Sequence, residues 1–169
     1  GAPVWAPDWK PEPHPASWNY LLRSAWPHLE KAGAVDWLVQ RLASAKSGKE
    51  HAADRQIVMC MLNHFAVEND VERLIALAES VLQAPPGTFV GEDEDGDEVS
   101  DEDVKKKVRR QLTGARVVKG FQLGREGKLE EARRHADAAL KDDPKDGQAL
   151  FLDARLTWLE DESPQAGVE

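Results

Sequence analysis

The chain has a single cysteine, Cys60, in 169 residues, so no intramolecular disulfide can help hold it together. It also lacks any apolar run near the eighteen or so residues that a bilayer-crossing helix needs, and no membrane partner is expected. No basic-then-apolar signal pattern opens the sequence, which makes the cytoplasm the expected compartment. Basic residues are in the minority, with 22 Lys and Arg against 31 Asp and Glu and a formal net charge of −9. A nucleic-acid binder needs a basic stripe that displaces counterions from phosphates, and that composition argues against nucleic acid as a partner.

The chemistry of catalysis is equally thin. The five histidines, His14, His28, His51, His64 and His135, fall in different segments without the spacing that puts two ligands on one helical face. No glycine-rich phosphate loop follows a strand, no serine occupies a nucleophile elbow, and the abundant carboxylates lie on faces where nothing would raise a pKa. Neither an enzyme nor a cofactor or metal requirement is expected. Cys60, inside the apolar run "IVMCML", reads as a small buried hydrophobe.

What the chain does have is 41% hydrophobic and 31% charged residues, an ordinary composition for a folded globular protein. Its acidity is local. The stretch "GEDEDGDEVSDED", residues 91–103, holds nine carboxylates and no basic residue, and it alone accounts for the net charge. It invites comparison with a calcium loop: with Gly96 at the turn, Asp93, Asp95 and Glu102 take ligand places. The first ligand would be Gly91, however, Glu98 stands where an apolar plug is usual, and "APPGTFV" cannot be an entering helix. A solvated loop or a partner-binding acidic segment fits better, and a hairpin that pairs "TFV" with "DEV" across the "DG" turn is a further option. The basic run "KKKVRR", Lys105 to Arg110, follows directly and reads as local neutralisation.

Around this insert the pattern is helical. Residues 1–15 contain five prolines and are expected to form an extended, polyproline-like arm. From Ala16, with Ser17 as N-cap, helical periods begin, although Pro27 is expected to kink or split the first helix near Trp26. "AVDWLVQRLASAKSG" spaces Val35, Leu38, Val39, Leu42 and Ala45 as a helix ending at Gly48. Two helices joined by "END" follow and stop at Pro85 and Pro86. A long helix is expected from Asp101 to Glu126, capped by Ser100, then one ending at Pro144, then a last helix from Gly147 to Asp161. Residues 162–169 form a polar tail.

Taking the interhelical turns as register marks gives Gly33, Asn69 and Gly127, with the second interval longer by the acidic insert. Gly120 is a small residue where two helices would approach, Ala132 lies where they would cross, "AAL" at 138–140 ends the second helix, and "DDP" closes the unit. Phe65, Ala78 and Pro86 repeat parts of this pattern upstream, with Leu62 and Leu74 where small residues are usual. Leu22, Trp26, Leu29, Leu38 and Leu42 are in step further back. On these residues the chain resembles the tetratricopeptide repeat (TPR) family, most closely from Ala115 to Leu159.

The resemblance implies an all-α fold: a TPR-like α-solenoid of helix-turn-helix repeats over residues 16–161, about three helix pairs plus a C-terminal capping helix, with the acidic insert at 87–103. It implies a curved face lined by the first helix of each pair. The peptide-binding positions carried over are Tyr20, Arg23, Met59, Asn63, Val117, Phe121, Phe151, Arg155 and Trp158. Some relatives in that family clamp the acidic C-terminal peptides of heat-shock chaperones. Here only Asn63 fits that clamp, while Met59, Gly114 and Val118 stand where basic or polar groups would be needed. The expected role is a non-catalytic adaptor or scaffold that binds an aliphatic or proline-rich peptide. A three-repeat secretion-type chaperone and a calcium-responsive binder are the alternatives. Trp5 and Trp9 of the arm are expected to pack onto the array or insert into a neighbouring molecule, a route to self-association.

Overall fold

The computed structural model describes residues 25–34, 36–37, 40, 52–92 and 98–162. The arm with Trp5 and Trp9, the Ser17 and Gly48 caps, Tyr20, Arg23, the carboxylates of 93–97 and residues 163–169 lie outside the described residues. Among the described residues the fold is all-α apart from one two-residue ladder. The helices used below are α1 (Ala52–Val67), α2 (Val71–Gln83), α3 (Asp101–Arg125), α4 (Leu129–Asp142) and α5 (Gly147–Glu162), with β1 (Gly91–Glu92) and β2 (Glu98–Val99) between α2 and α3. The chain divides into two compact units, Gly1–His64 with Ala84–Asp101, and Phe65–Gln83 with Glu102–Glu169.

In the first unit, residues 25–31 are helical through Pro27, so no break follows Trp26 over that stretch. The amide that Pro27 lacks would have bonded residue 23, outside the described residues. Gly33 takes φ 71° and its N–H donates to Glu30 C=O at 3.0 Å, turning the chain at the expected register mark. The buried Trp26 ring lies 4.0 Å, centroid to centroid, from His64. Val58, Met61 and Leu62 of α1 are buried.

After the double proline, Gly87 has φ 82° and the Thr88 hydroxyl donates to Pro85 C=O at 2.6 Å. The expected hairpin exists with a different register. β1 is "GE", not "TFV": Gly91 pairs with Val99 and Glu92 with Glu98, antiparallel. Phe89 is instead fully buried, and side-chain burial outweighs ladder extension at that position. Its N–H donates to Asp101 Oδ1 at 3.0 Å, so the two ends of the insert are tied together. The two misfits of the calcium-loop pattern, Gly91 and Glu98, are both ladder residues.

In the second unit, two interhelical turns have the same construction. Asn69 has φ 56°; its N–H donates to Ala66 C=O at 3.3 Å, and Asp70 N–H donates to Phe65 C=O at 2.9 Å. Gly127 has φ 77°; its N–H donates to Gly124 C=O at 3.2 Å, and Lys128 N–H donates to Leu123 C=O at 3.0 Å. Both are Schellman caps, in which a left-handed residue satisfies the carbonyls that a helix end leaves open. Asp70 then starts α2 by accepting the N–H of Arg73 at 3.2 Å, and Asp146 starts α5 by accepting that of Ala149 at 2.8 Å.

Helix α3 is one unbroken element of 25 residues, about 38 Å long at about 1.5 Å per residue, close to the expected span. Its Leu123 joins Ala132 and Ala136 of α4 and Leu152 and Leu156 of α5 in one cluster, and Val117 joins Ala139 and Ala149 in another. The fully buried alanines of α4 keep that helix thin enough to serve α3 and α5 at once. Gly120 completes the fit, since a Cβ there would collide with the Leu152 side chain and lie 3.5 Å from Ala132 C=O.

Candidate protein-binding face

Helix α3 has two unlike sides, and its sequence sets them. Val104, Val108, Leu112, Ala115 and Leu123 recur along one side and are buried. Residues 107, 110, 114, 118, 121 and 125, spaced by three or four, make a second side. Gly114, Val118 and Arg125 there are exposed, and Phe121 is half-buried. Across from Phe121 stands Phe151 of α5, the ring centroids 6.0 Å apart at an interplanar angle of 42°, a tilted aromatic contact. Phe151, Arg155 and Trp158 are themselves spaced i, i+4, i+7, so the open side of α3 continues onto α5.

This face exposes large apolar side chains. Phe151 is 57% exposed, Trp158 56% and Val118 41%. Leu150, 47% exposed, lies beside them. Helix α5 is the element expected as the solvent-facing C-terminal cap. It carries apolar residues around its whole circumference, while α3 and α4 cover only the side bearing Ala149, Leu152 and Leu156. A helix apolar all round is normally covered all round.

Of the expected site residues, Phe121, Phe151, Arg155 and Trp158 are thus brought together on one face. Val117 is not available to a ligand: it is 4% exposed and packs with Ala139 and Ala149, because α4's small residues draw it inward. Met59 is half-buried and Asn63 exposed, both on α1 in the other compact unit. Tyr20 and Arg23 lie outside the described residues.

The polar framework behind this face went unread in the sequence. Arg116 reaches from α3 to Glu79 of α2 at 2.8 Å and to Asp142 of α4, and it also donates to Ala138 C=O at 3.4 Å. Arg133 of α4 holds Asp153 and, at 2.7 Å, Glu160, both on α5. Lys119 donates to Glu72 of α2 at 2.5 Å. These partners lie 20 or more residues apart in sequence, and no local pattern announces them. His135, beside this network, has its pKa lowered, first by burial and then by the cations of Lys119 and Arg116.

The Cys60 thiol is half-buried and burial pushes its pKa up, so the nucleophilic thiolate is scarce at neutral pH. Among the described residues no group of three or more His, Cys, Asp or Glu side chains is placed to hold a metal ion, and no helix is long and apolar enough to cross a membrane. No protein-family model matches the chain, and no curated protein and no solved structure matches it either.

Proposed function

We propose that the chain is a non-catalytic protein-binding adaptor, a short TPR-like array whose working surface is the open face of α3 and α5. The observation that carries this reading is the exposure of Phe151 and Trp158 on one side of α5, in line with Phe121 of α3. Aromatic side chains that stay exposed beside a well-packed core are typical of surfaces that gain their cover from a partner. The repeated turn construction at Asn69 and Gly127 supports the array part of the reading, since units of the same kind reverse the chain in the same way.

A displayed library of random peptides selected against the purified chain tests the proposal. The expected result is a set of related extended sequences whose binding is lost in Trp158→Ala and in Phe151→Ala, with the fold intact by circular dichroism. Peptides that bind both variants as well as the parent chain would place the working surface elsewhere. Failure to select any peptide would remove the adaptor reading from this face.

A further inference from the structure

The open face has a second property that the net charge of the chain conceals. Asp103, in the first turn, is the last carboxylate on α3; from Val104 to Arg125 every charged residue is a cation. Some of these are engaged on the packed side or nearby. Lys105 is buried, Arg116 and Lys119 bond the carboxylates already described, and Arg109 donates to Glu102 at 2.6 Å. Lys106, Lys107, Arg110 and Arg125 are different: all are exposed, and none makes an ion pair among the described residues. Of the neutralisation expected of "KKKVRR", the pair between Arg109 and Glu102 is one instance.

Three of these free cations fall on the apolar face. Lys107 and Arg110 precede Gly114, Val118 and Phe121 at helical spacing, and Arg125 follows Phe121 by one turn. Helix α5 adds Arg155, exposed and without an ion pair among the described residues, between Phe151 and Trp158. Of the α5 carboxylates, Asp153 and Glu160 are held by Arg133 on the opposite side of that helix, whereas Glu162 falls four residues after Trp158, at the C-terminal edge of the face. The face thus carries cations along α3 from Lys107 to Arg125 and at Arg155 of α5, with aromatic and aliphatic side chains between them and the carboxylates Asp103 and Glu162 at its edges.

We infer that this face takes an extended acidic segment of a partner protein, one in which aromatic or aliphatic side chains alternate with Asp or Glu. The inference rests on the docking role proposed above and adds the chemistry of the occupant. From Lys107 to Arg125 the face is about 27 Å long, at about 1.5 Å per helical residue. An extended segment of about eight residues, at about 3.3 Å each, covers that length. Alternation follows from the occupant's own geometry, since successive side chains of an extended chain point to opposite sides and every second one can face the helix pair. Such a segment meets the cations along α3 with its backbone running over Gly114, and it needs no free C-terminus. A polynucleotide matches less well: its long-range field meets a protein of net charge −9, whereas a short segment senses mainly the local cations.

The test uses fluorescence anisotropy of the full chain with four labelled probes: a peptide alternating Glu with Leu and Phe, the same peptide with Gln for Glu, the same with Lys for Glu, and a single-stranded RNA oligonucleotide. The Glu peptide is expected to bind at least about tenfold tighter than the Gln peptide. That preference should fall as salt rises from about 0.1 M to about 1 M, which shortens the screening length from about 10 Å to about 3 Å. Arg110→Glu and Arg155→Glu, both at exposed positions, should each weaken the Glu peptide about tenfold with no change in melting temperature. Arg134→Glu, on α4 and away from the face, should leave binding as it was.

Equal binding of the Glu and Gln peptides would overturn the inference while leaving the adaptor role in place. Loss of all peptide binding would overturn both. Tighter binding of the RNA than of the Glu peptide would assign the face to nucleic acid instead. Concentration-dependent self-association that Arg110→Glu and Arg155→Glu abolish would assign it to a second copy of the chain.

Discussion

Arg110 and Arg116 stand less than two turns apart on α3, yet their surroundings differ in kind. Arg116 is turned into the protein, its side chain 15% exposed, and connects three helices through Glu79 and Asp142. Arg110 is turned outward, with no ion pair among the described residues and Gly114 and Val118 after it along the helix. Glycines divide in the same way. Gly120 sits where a Cβ would collide with Leu152, whereas nothing lies within 4 Å of the space a Cβ would take at Gly114. One residue type thus serves packing on one side of the helix and leaves a shallow, open place on the other. A helix can be read twice, and the two readings answer to different physics: close packing inside, unsatisfied charge and exposed rings outside.

Substitutions on the two sides should separate accordingly. The largest effect is expected for Leu112→Ala, since Leu112 is 1% exposed on the packed side; chemical denaturation should show a loss of about 2 to 5 kcal/mol. Arg116→Met leaves the carboxylates of Glu79 and Asp142 without their shared cation. A loss of about 1 to 2 kcal/mol is expected, moderated because Glu79 is 43% exposed, and Arg110→Met should stay within about 0.5 kcal/mol of the parent. Comparable losses for the two arginines would break the comparison.

The glycine pair sharpens it further. Gly120→Ala should destabilise by about 1 kcal/mol or somewhat more, because Leu152 is itself buried and has little room to give way. Gly114→Ala should stabilise by about 0.5 to 1 kcal/mol, the usual gain when a mid-helix glycine loses backbone freedom in the unfolded chain. A gain at both positions would mean that the α3–α5 approach is looser than its geometry indicates.

The smallest expected effect is on pH. His135 has its folded-state pKa depressed by burial and by Lys119 and Arg116, so the unfolded chain binds its proton more readily. Its contribution is therefore present above the unfolded histidine value of about 6.5 and is lost as pH falls below it toward the lower folded value. Thermal unfolding between neutral and mildly acidic pH should show a decline that His135→Gln reduces. An unchanged decline in that variant would assign it to other groups.

Much of the second unit was legible because local signals there agree. Gly127, Pro144 and the alanines of α4 mark the ends and the buried side of one helix, and the structure places them accordingly. Asn69, polar and short, tolerates a left-handed backbone, and its place between two apolar runs was enough to mark a turn. Val117 misled because periodicity assigns a residue to a face but cannot say how far its neighbours reach; Ala139 and Ala149 are small enough to draw it in. The hairpin register escaped because burial of Phe89 competes with strand pairing, and that competition has no signature in the local run. Arg116 and Arg133 draw their partners from distant segments. The cationic face was hidden by arithmetic: a dense block of carboxylates next to it brings the sum for the whole chain to −9.

The tie between Phe89 and Asp101, together with the pairing of Gly91 to Val99, makes the acidic stretch a cassette. Its two ends are held by contacts that do not involve the residues between them, so the start of α3 is insulated from the length of what is carried there. The entropic cost of joining two fixed chain ends grows only with the logarithm of the length between them, about 0.6 kcal/mol for each doubling. Insertion of a tag, a protease site or a longer acidic run between Glu92 and Glu98 is therefore expected to have little consequence for the helices on either side.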